Sequence, residues 1–213
     1  MSILILVRHG EAQNNTKDVL TSSINGYPLT KRGVEQAEAT ASQLKTIKIS
    51  GMFSSPLERT MQTAKIINRY HGMDIKADAR LRELSFGRLE GSGAMKGLWE
   101  IEMLRSRKLE KSMEKGTEVA ARMFSFIRTL PPDGTYIAVT HQSCIDNTVR
   151  KLIGMDEFSG NGISVKNATV TVLEKEHGRL RILAIGSFSV DNTYLKALKS
   201  KRGAAQHYPA QRF

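Results

Sequence analysis

The feature that most constrains the fold is a repeated alternation of short apolar runs with amphipathic segments. Residues 3–7 form an unbroken apolar run that ends in Arg8 and His9, as expected for a strand that is buried on both faces. The run is too short for a signal core or a membrane span. Residues 31–44 then place Val34, Ala37, Ala41 and Leu44 at helical spacing behind Thr30, a suitable N-cap. This strand and helix establish the first repeat.

The same alternation continues along the chain and predicts further elements. Ser54-Ser55-Pro56 is typical of an N-cap followed by the proline of a first helical turn. The predicted strands cover 49–53, 75–77 and 136–139, and a terminal strand pair covers 169–173 and 180–184. The predicted helices cover about 56–70, 119–130 and a stretch that begins at 145. A loop is predicted over 13–23. Alternating strands and helices predict an α/β fold with a mainly parallel central sheet and helices on both faces.

The length of 213 residues predicts one domain that spans 1–213. Residues 91–115 mix apolar and charged side chains and interrupt the alternation, so they predict a small helical cap inserted over a cleft. Residues 196–213 contain five lysines and arginines and no acidic residue, which predicts a solvated, partly disordered basic tail.

Composition narrows the function less than the pattern does. The net charge of +11 attracts anions, and both phosphorylated metabolites and nucleic acids are anions. A charge excess that only aids solubility is an equally good explanation. Cys144 is the single cysteine, which excludes an internal disulfide and is compatible with a cytoplasmic location.

Basic side chains follow three of the predicted strands. Arg8 and His9 come directly after the first strand, Arg59 lies near the start of the helix after the second, and His141 follows the strand at 136–139. Because the carboxyl ends of parallel strands meet at one sheet edge, we expect these four side chains to converge. Glu83, in a glycine-containing loop, is a candidate proton donor.

On these residues the sequence resembles the histidine phosphatase superfamily, which includes cofactor-dependent phosphoglycerate mutases and many small-molecule phosphatases. The resemblance runs from about residue 3 to residue 154, with the motifs in order. They are Arg8-His9-Gly10-Glu11, Asn15, Pro28-Leu29-Thr30, Gly33, Gln36-Ala37, Ser54-Ser55-Pro56-Leu57, Arg59-Thr60, Gln62-Thr63-Ala64, Arg82-Glu83-Leu84, Phe86-Gly87, Glu90-Gly91 and Thr140-His141. It implies a phosphoglycerate mutase-like fold.

The resemblance also implies roles for individual residues. His9 is the expected nucleophile, which would carry the phosphoryl group as phosphohistidine, and Glu83 is the expected acid. The residues expected to contact phosphate or substrate are Arg8, Asn15, Thr21, Ser22, Arg59, His141 and Gln142. Gln142 stands where the family commonly has glycine, so we expect its side chain to narrow the pocket and to affect substrate choice.

Together these features predict a metal-independent phosphatase that acts on a small phosphomonoester. The five histidines are dispersed and show no metal-ligand spacing. The Arg82–Gly91 block is similar to the phosphatase branch of the family. A phosphoglycerate mutase is the alternative, and only in that case is a cofactor, 2,3-bisphosphoglycerate, expected.

A third hypothesis belongs to another class: a basic, non-catalytic protein that binds nucleic acid or an acidic partner. Few aromatic residues interleave the basic stretches, and no nucleic-acid-binding motif occurs. The expected partner is therefore a small phosphorylated substrate rather than nucleic acid or a membrane. A homo-oligomer is compatible with the sequence.

Overall fold

The fold was examined in a computed structural model that describes residues 1–93, 112–155 and 163–189, together with the backbone of Gln211–Arg212. These residues form one mixed sheet. Its strands are β1 (Ser2–Arg8), β2 (Gly51–Ser54), β3 (Ile75–Ala77), β4 (Thr135–Thr140), β5 (Val170–Glu176), β6 (Arg179–Ser187) and β7 (Gln211–Arg212). Their order across the sheet is β3-β2-β4-β1-β5-β6-β7.

The sheet is parallel in one half and antiparallel in the other. Strands β1 to β4 run parallel, with Val7 of β1 opposite Val139 of β4. Strand β5 pairs antiparallel with β1 and with β6. His177 and Gly178, both at positive φ, form the two-residue turn between β5 and β6. The predicted α/β class and terminal strand pair are therefore confirmed, and β7 extends the antiparallel half.

Helices cover both faces of this sheet, as the alternation predicted. The α-helices of the described residues are α1 (Gln13–Thr16), α2 (Lys31–Leu44), α3 (Glu58–Asn68), α4 (Gly116–Thr129) and α5 (Gln142–Ile153), and 3₁₀ turns cover Ala79–Leu81 and Gly87–Leu89. Leu4 and Leu6 of β1 pack in a core with α4 and α5, whereas Ile5 and Val7 pack in a second core with α2 and α3. Burial on both faces explains why β1 is apolar throughout.

The predicted bounds of α2 are confirmed. They could be predicted because the N-cap residue, Thr30, directly precedes the helix in the sequence. The Thr30 hydroxyl accepts a hydrogen bond from the Gly33 amide at 3.0 Å, as a helix N-cap should. Ala37, Ala41 and Leu44 are fully buried. Val34, which shares their spacing, is 39% exposed and lies outside the buried stripe.

Two local predictions were wrong. The loop predicted over 13–23 contains the short helix α1, because the Asn15 side chain accepts a hydrogen bond from the Ala12 amide and closes a turn. Helix α3 begins at Glu58 with Leu57 as its N-cap, rather than with a serine cap. The Ser55 hydroxyl accepts from the Leu57 amide at 3.4 Å, before the helix begins, and lies 2.8 Å from Nε2 of His141, a residue 86 positions away.

The predicted cap over 91–115 lies outside the described residues except for 91–93 and 112–115. The predicted basic tail over 196–213 also lies outside them, apart from the backbone of Gln211–Arg212, which pairs with β6. Among the described residues, no helix has the length and apolar character needed to cross a membrane.

Candidate active site

The ends of β1, β2 and β4 bring the predicted basic side chains together at one edge of the sheet. Arg8 lies opposite Thr140 in the parallel register, and the His9 amide donates to the Thr140 carbonyl at 3.1 Å. The imidazole centroids of His9 and His141 are 5.2 Å apart. Arg59 lies in the first turn of α3, which follows β2, and its guanidinium contacts His9.

Two glycines allow the loop after His9 to approach α2 closely. A Cβ on Gly10 would lie 2.3 Å from the Gly33 carbonyl oxygen, and a Cβ on Gly33 would lie 1.9 Å from the Glu11 carbonyl oxygen. Both distances are far below van der Waals contact, so neither position accepts a side chain without a backbone shift. The Gly10 amide also donates to the Thr63 hydroxyl of α3. The His9 loop is therefore fastened to both helices of this face.

The hydrogen bonds of His9 define which ring nitrogen can act as a nucleophile. Its Nδ1 lies 2.7 Å from the carbonyl oxygen of Gly10, which can only accept. In the neutral ring Nδ1 is therefore the protonated nitrogen, and Nε2 carries a lone pair. Nε2 accepts a hydrogen bond from Nε–H of Arg59 at 3.3 Å.

The surroundings keep His9 neutral. Burial lowers the pKa of its imidazole well below the ordinary value, and the charges of Arg59 and Arg8 lower this pKa further. The hydrogen bond to Gly10 opposes the shift but does not reverse it. A neutral imidazole with an unprotonated Nε2 is the form required for attack on phosphorus.

Arg59 is 2% exposed, which is unusual for an arginine and indicates a functional position. Its Nη2 donates to the Thr21 carbonyl at 3.0 Å. Burial lowers the pKa of this guanidinium, while Glu83 and Glu90 act to raise it. Thr63, one turn further along α3, accepts from Gly10 and donates to the Arg59 carbonyl, which links the arginine to the His9 loop.

His141 and Arg8 each present a buried nitrogen that has no hydrogen-bond partner among the described residues. In His141 this atom is Nδ1, since Nε2 lies 2.8 Å from the Ser55 hydroxyl. In Arg8 it is Nε, while Nη1 donates to the Val165 carbonyl at 2.6 Å. Burial and the charge of Arg59 hold the pKa of His141 well below its ordinary value. Buried, unpaired polar groups of this kind indicate a polar ligand.

The Gln142 side chain is held beside Arg8 by hydrogen bonds. Its Oε1 accepts from Arg8 at 3.2 Å and from the Val165 amide at 3.1 Å, and its Nε2 donates to the Ile163 carbonyl. The side chain thus orients Arg8 and anchors the 163–165 segment. Its backbone amide lies at the N-terminus of α5, where the first amides lack intrahelical acceptors and favour anions.

Glu83 lies in the loop after the first 3₁₀ turn, on the wall of a cavity of about 430 Å³. The cavity is also lined by Ser22, Ala79, Arg82, Ser85, Ser112, Met113, Glu114, Glu118 and Arg122. Burial lowers the pKa of the Arg8 and Arg59 guanidiniums, and the Glu83 carboxylate is close enough to both to oppose this shift in part. Glu83 is therefore positioned between the basic cluster and the cavity.

Asn15, Thr21 and Ser22 contribute to the walls of the site through other residues. The side-chain Nδ2 of Asn167 donates to Asn15 Oδ1 at 3.3 Å and also to the His9 carbonyl. The hydroxyls of Thr21 and Ser22 both donate to the Glu90 carboxylate. Burial acts to raise the pKa of Glu90, but these hydrogen bonds outweigh it and hold the pKa below its ordinary value.

Sequence reasoning missed several supporting residues. Asn167 contacts the His9 carbonyl, yet its position in a loop before β5 carries no local signal. The Arg122–Glu114 pair behind Glu83 was likewise missed because its members lie outside every quoted motif. Thr63 was part of a quoted motif, but its hydrogen bond to Gly10 could not be inferred.

The described residues contain no group of three or more histidine, cysteine or acidic side chains arranged to hold a metal ion. Cys144 is buried behind the loop and donates from Sγ to the Arg82 carbonyl at 2.8 Å. Burial raises the pKa of its thiol to about 11, so it is protonated at neutral pH and is a poor nucleophile.

Comparisons with known proteins agree with this arrangement. The chain is 34% identical over 201 residues to the 2,3-bisphosphoglycerate-dependent phosphoglycerate mutase of Thermoplasma acidophilum, covering 93% of this chain and 98% of that protein. The fold is similar to that of YhfR from Bacillus stearothermophilus, with a TM-score of 0.77 and 20% identity over 90% of this chain and 98% of that chain. It is also similar to that of an Entamoeba histolytica phosphoserine phosphatase in complex with 3-phosphoglyceric acid, with a TM-score of 0.75 and 23% identity over 88% of this chain and 98% of that chain. The profile of the histidine phosphatase superfamily (branch 1) matches residues 4–187, and the chain therefore belongs to this superfamily.

Proposed function

We propose that this chain is a metal-independent phosphatase that hydrolyses a small phosphomonoester through a phosphohistidine on His9. Members of its superfamily are phosphoryl-transfer enzymes, either mutases or phosphatases, and work without a cofactor apart from 2,3-bisphosphoglycerate in some mutases. The observation that carries the proposal is a buried, neutral His9 whose Nε2 lone pair lies within a cluster of cationic side chains.

The cluster is suited to bind the phosphoryl group. Arg8 Nε and His141 Nδ1 are buried without partners among the described residues. A buried polar group without a partner costs about 1–3 kcal/mol, which hydrogen bonds to phosphoryl oxygens would offset. The guanidinium of Arg59 adds a planar fork that can hold two oxygens.

The first step transfers the phosphoryl group to the protein. His9 Nε2 attacks phosphorus, and the bond between phosphorus and the leaving oxygen breaks. Glu83, in its protonated form, donates its proton to the departing alkoxide. The positive charges of Arg8 and Arg59 stabilise the charge that spreads over the phosphoryl oxygens in the transition state.

The second step regenerates the enzyme. Ionised Glu83 takes a proton from water as the water oxygen attacks phosphorus, the bond between phosphorus and Nε2 breaks, and inorganic phosphate leaves. Glu83 is then protonated for the next cycle. Both steps use the same carboxylate, which requires access from the cavity side, where Glu83 lies.

The character of the cavity favours water as the second acceptor. Ser85, Ser112 and Glu118 on its wall are exposed, so we expect water to enter the cavity that Glu83 lines. The alternative is a mutase, in which a substrate hydroxyl takes the phosphoryl group. It is supported by the near full-length relative from Thermoplasma acidophilum, which is a phosphoglycerate mutase.

A screen of phosphomonoesters for phosphate release, run beside a mutase assay with and without 2,3-bisphosphoglycerate, separates these reactions. We expect phosphate release from at least one class, loss of turnover in His9→Ala, and acid-labile label on His9 after rapid quench. Isomerisation that depends on 2,3-bisphosphoglycerate and exceeds phosphate release would establish the mutase instead. Label on Cys144 would show that His9 is not the nucleophile.

The role of Glu83 is tested by leaving groups that differ in their need for a proton. General acid catalysis typically contributes about 10²- to 10⁴-fold, so Glu83→Gln should lose about that much kcat/KM with an alkyl phosphate. With p-nitrophenyl phosphate the first step should lose far less, and a burst of p-nitrophenol should appear because the second step still needs a base. Equal losses without a burst would contradict this role.

A further inference from the structure

The loop that carries Glu83 is held by a partly buried ion pair whose two members line the same cavity. Arg122 of α4 and Glu114, just before that helix, are 18% and 19% exposed in their side chains. Nε and Nη2 of Arg122 donate to the two oxygens of Glu114, at 2.6 and 3.0 Å. This is the bidentate arrangement in which arginine binds a carboxylate most strongly.

Both members of the pair also bond to the backbone on either side of Glu83. The remaining Nη1 of Arg122 donates to the Arg80 carbonyl at 2.6 Å. Glu114 Oε2 accepts from the Ser85 amide at 3.1 Å, and the Glu114 amide donates to the Ser85 carbonyl at 2.9 Å. The pair therefore forms hydrogen bonds with the loop backbone three residues before Glu83 and two residues after it.

A third contact lies between these two. The buried thiol of Cys144 donates to the Arg82 carbonyl, directly before Glu83, and its sulfur lies 3.5 Å from Nη1 of Arg122. Among the described residues, the hydrogen bond that the Glu83 side chain accepts is a local one, from the Leu84 amide. The position of its carboxylate thus depends on the backbone beneath it.

We propose that the Arg122–Glu114 pair positions the general acid, holding the loop from Arg80 to Ser85 so that Glu83 meets the leaving oxygen. This inference rests on the proposed phosphoryl transfer and assigns no chemical step to the pair. A displacement of about 1 Å at a reacting group can cost about 10²-fold in rate, so such support is kinetically important. Removal of one partner also leaves the other charge buried and unpaired, which should loosen the loop.

The test uses Arg122→Met and the isosteric Glu114→Gln with the two leaving groups described above. We expect kcat for the alkyl phosphate to fall about 10- to 100-fold, which is less than or at most equal to the lower limit of the range for complete loss of general acid catalysis. Release of p-nitrophenol in the first step should change by less than about threefold, because that leaving group needs no proton. A variant that merely weakens the fold would lower both rates equally.

Arg150→Met is the matched control. Arg150 of α5 pairs with Asp146 at 2.9 Å, and the two side chains are 7% and 19% exposed. Asp146 Oδ1 also accepts from the Ile163 amide, so this pair supports the 163–165 segment beside Arg8, whose phosphoryl contacts serve both substrates alike. Loss of the Arg150–Asp146 pair should lower the stability of the fold without changing the ratio of the rates with the two substrates. In a Glu83→Gln background, Arg122→Met should add little to the loss on the alkyl phosphate, because both changes remove the same contribution.

Three outcomes distinguish the possibilities. If the wild type transfers no phosphoryl group, the proposed function fails. If the wild type and Glu83→Gln behave as proposed but Arg122→Met and Glu114→Gln resemble Arg150→Met, only the positioning role fails. A rise in KM for both substrates at unchanged kcat would likewise overturn it, because Arg122 would then contact substrate directly. Should Arg122→Met not fold, Glu114→Gln decides alone, since it keeps the side-chain volume.

Discussion

Arg59 donates a hydrogen bond from Nε to the lone pair of Nε2 of His9, the atom proposed to attack phosphorus. The same contact orients the imidazole and disfavours its protonation, because a second proton on the ring would face the guanidinium. When a phosphoryl group binds, its oxygens can take over the donors of Arg59 and release the lone pair. One arginine thus prepares the nucleophile and binds the group that it attacks.

Arg59→Met should therefore change both the rate and its pH dependence. The lost phosphoryl donors should lower kcat/KM by about 10²- to 10³-fold, as for removal of an oxyanion donor. With that cation gone, the pKa of His9 should rise toward its ordinary value, so the acidic limb of the pH–rate profile should move to higher pH. Arg69→Met, at the other end of α3 in an exposed pair with Glu38, is the control and should leave both unchanged. An unmoved acidic limb in Arg59→Met would contradict this account.

Turnover should survive exhaustive chelation because side chains and backbone amides, rather than a metal ion, are proposed to hold the phosphate. Vanadate should inhibit, since it can occupy the same donors with the geometry of the transition state. The measurement is steady-state phosphate release before and after dialysis against chelator. Activity that disappears on dialysis and returns with magnesium or zinc would overturn the metal-free reaction.

The free energy of unfolding should decrease as the pH falls below about 6.5. Burial lowers the pKa of His9 and His141 in the folded state, so the unfolded chain binds more protons in this range. The loss begins at the unfolded pKa of about 6.5 and continues to the lower folded pKa, at up to about 1.4 kcal/mol per pH unit for each histidine. When the free energy of unfolding is measured with urea between pH 8 and pH 5, its slope against pH should be smaller for His141→Gln than for the wild type. Equal slopes would show that His141 does not contribute.

Gly33→Ala should destabilise the protein although alanine favours helices. Alanine gains about 1 kcal/mol over glycine inside a helix. At this position, however, its Cβ would lie 1.9 Å from the Glu11 carbonyl oxygen, and such crowding of backbone costs about 1–3 kcal/mol or more. We expect a net loss of roughly 1–2 kcal/mol in urea unfolding, with a parallel loss of activity because Glu11 is two residues from His9. Gly93→Ala, whose Cβ would meet its nearest neighbour among the described residues, the Asp18 carbonyl oxygen, at 3.7 Å, is the control. A neutral Gly33→Ala would mean that the loop can move aside.

Features encoded by neighbouring residues could be predicted from the sequence. The bounds of α2 followed from the Thr30 cap and the buried positions Ala37, Ala41 and Leu44, all within one helix. The apolar run at 3–7 predicted a strand buried on both faces, which β1 is. The meeting of Arg8, His9, Arg59 and His141 followed from a general property of parallel sheets, whose strands end at the same edge.

The tertiary structure decided how those side chains are used. Ser55 was expected to cap α3, but it bonds to His141. Gln142 bonds to Arg8, a contact that the sequence did not predict. Each of these contacts joins residues that are at least 86 positions apart, so no local spacing encodes them. The same applies to Arg59 and His9, 50 positions apart. The sequence by itself determined which groups reach the sheet edge, whereas packing between distant segments determined the tautomer of His9, the partners of the cations and the support beneath Glu83.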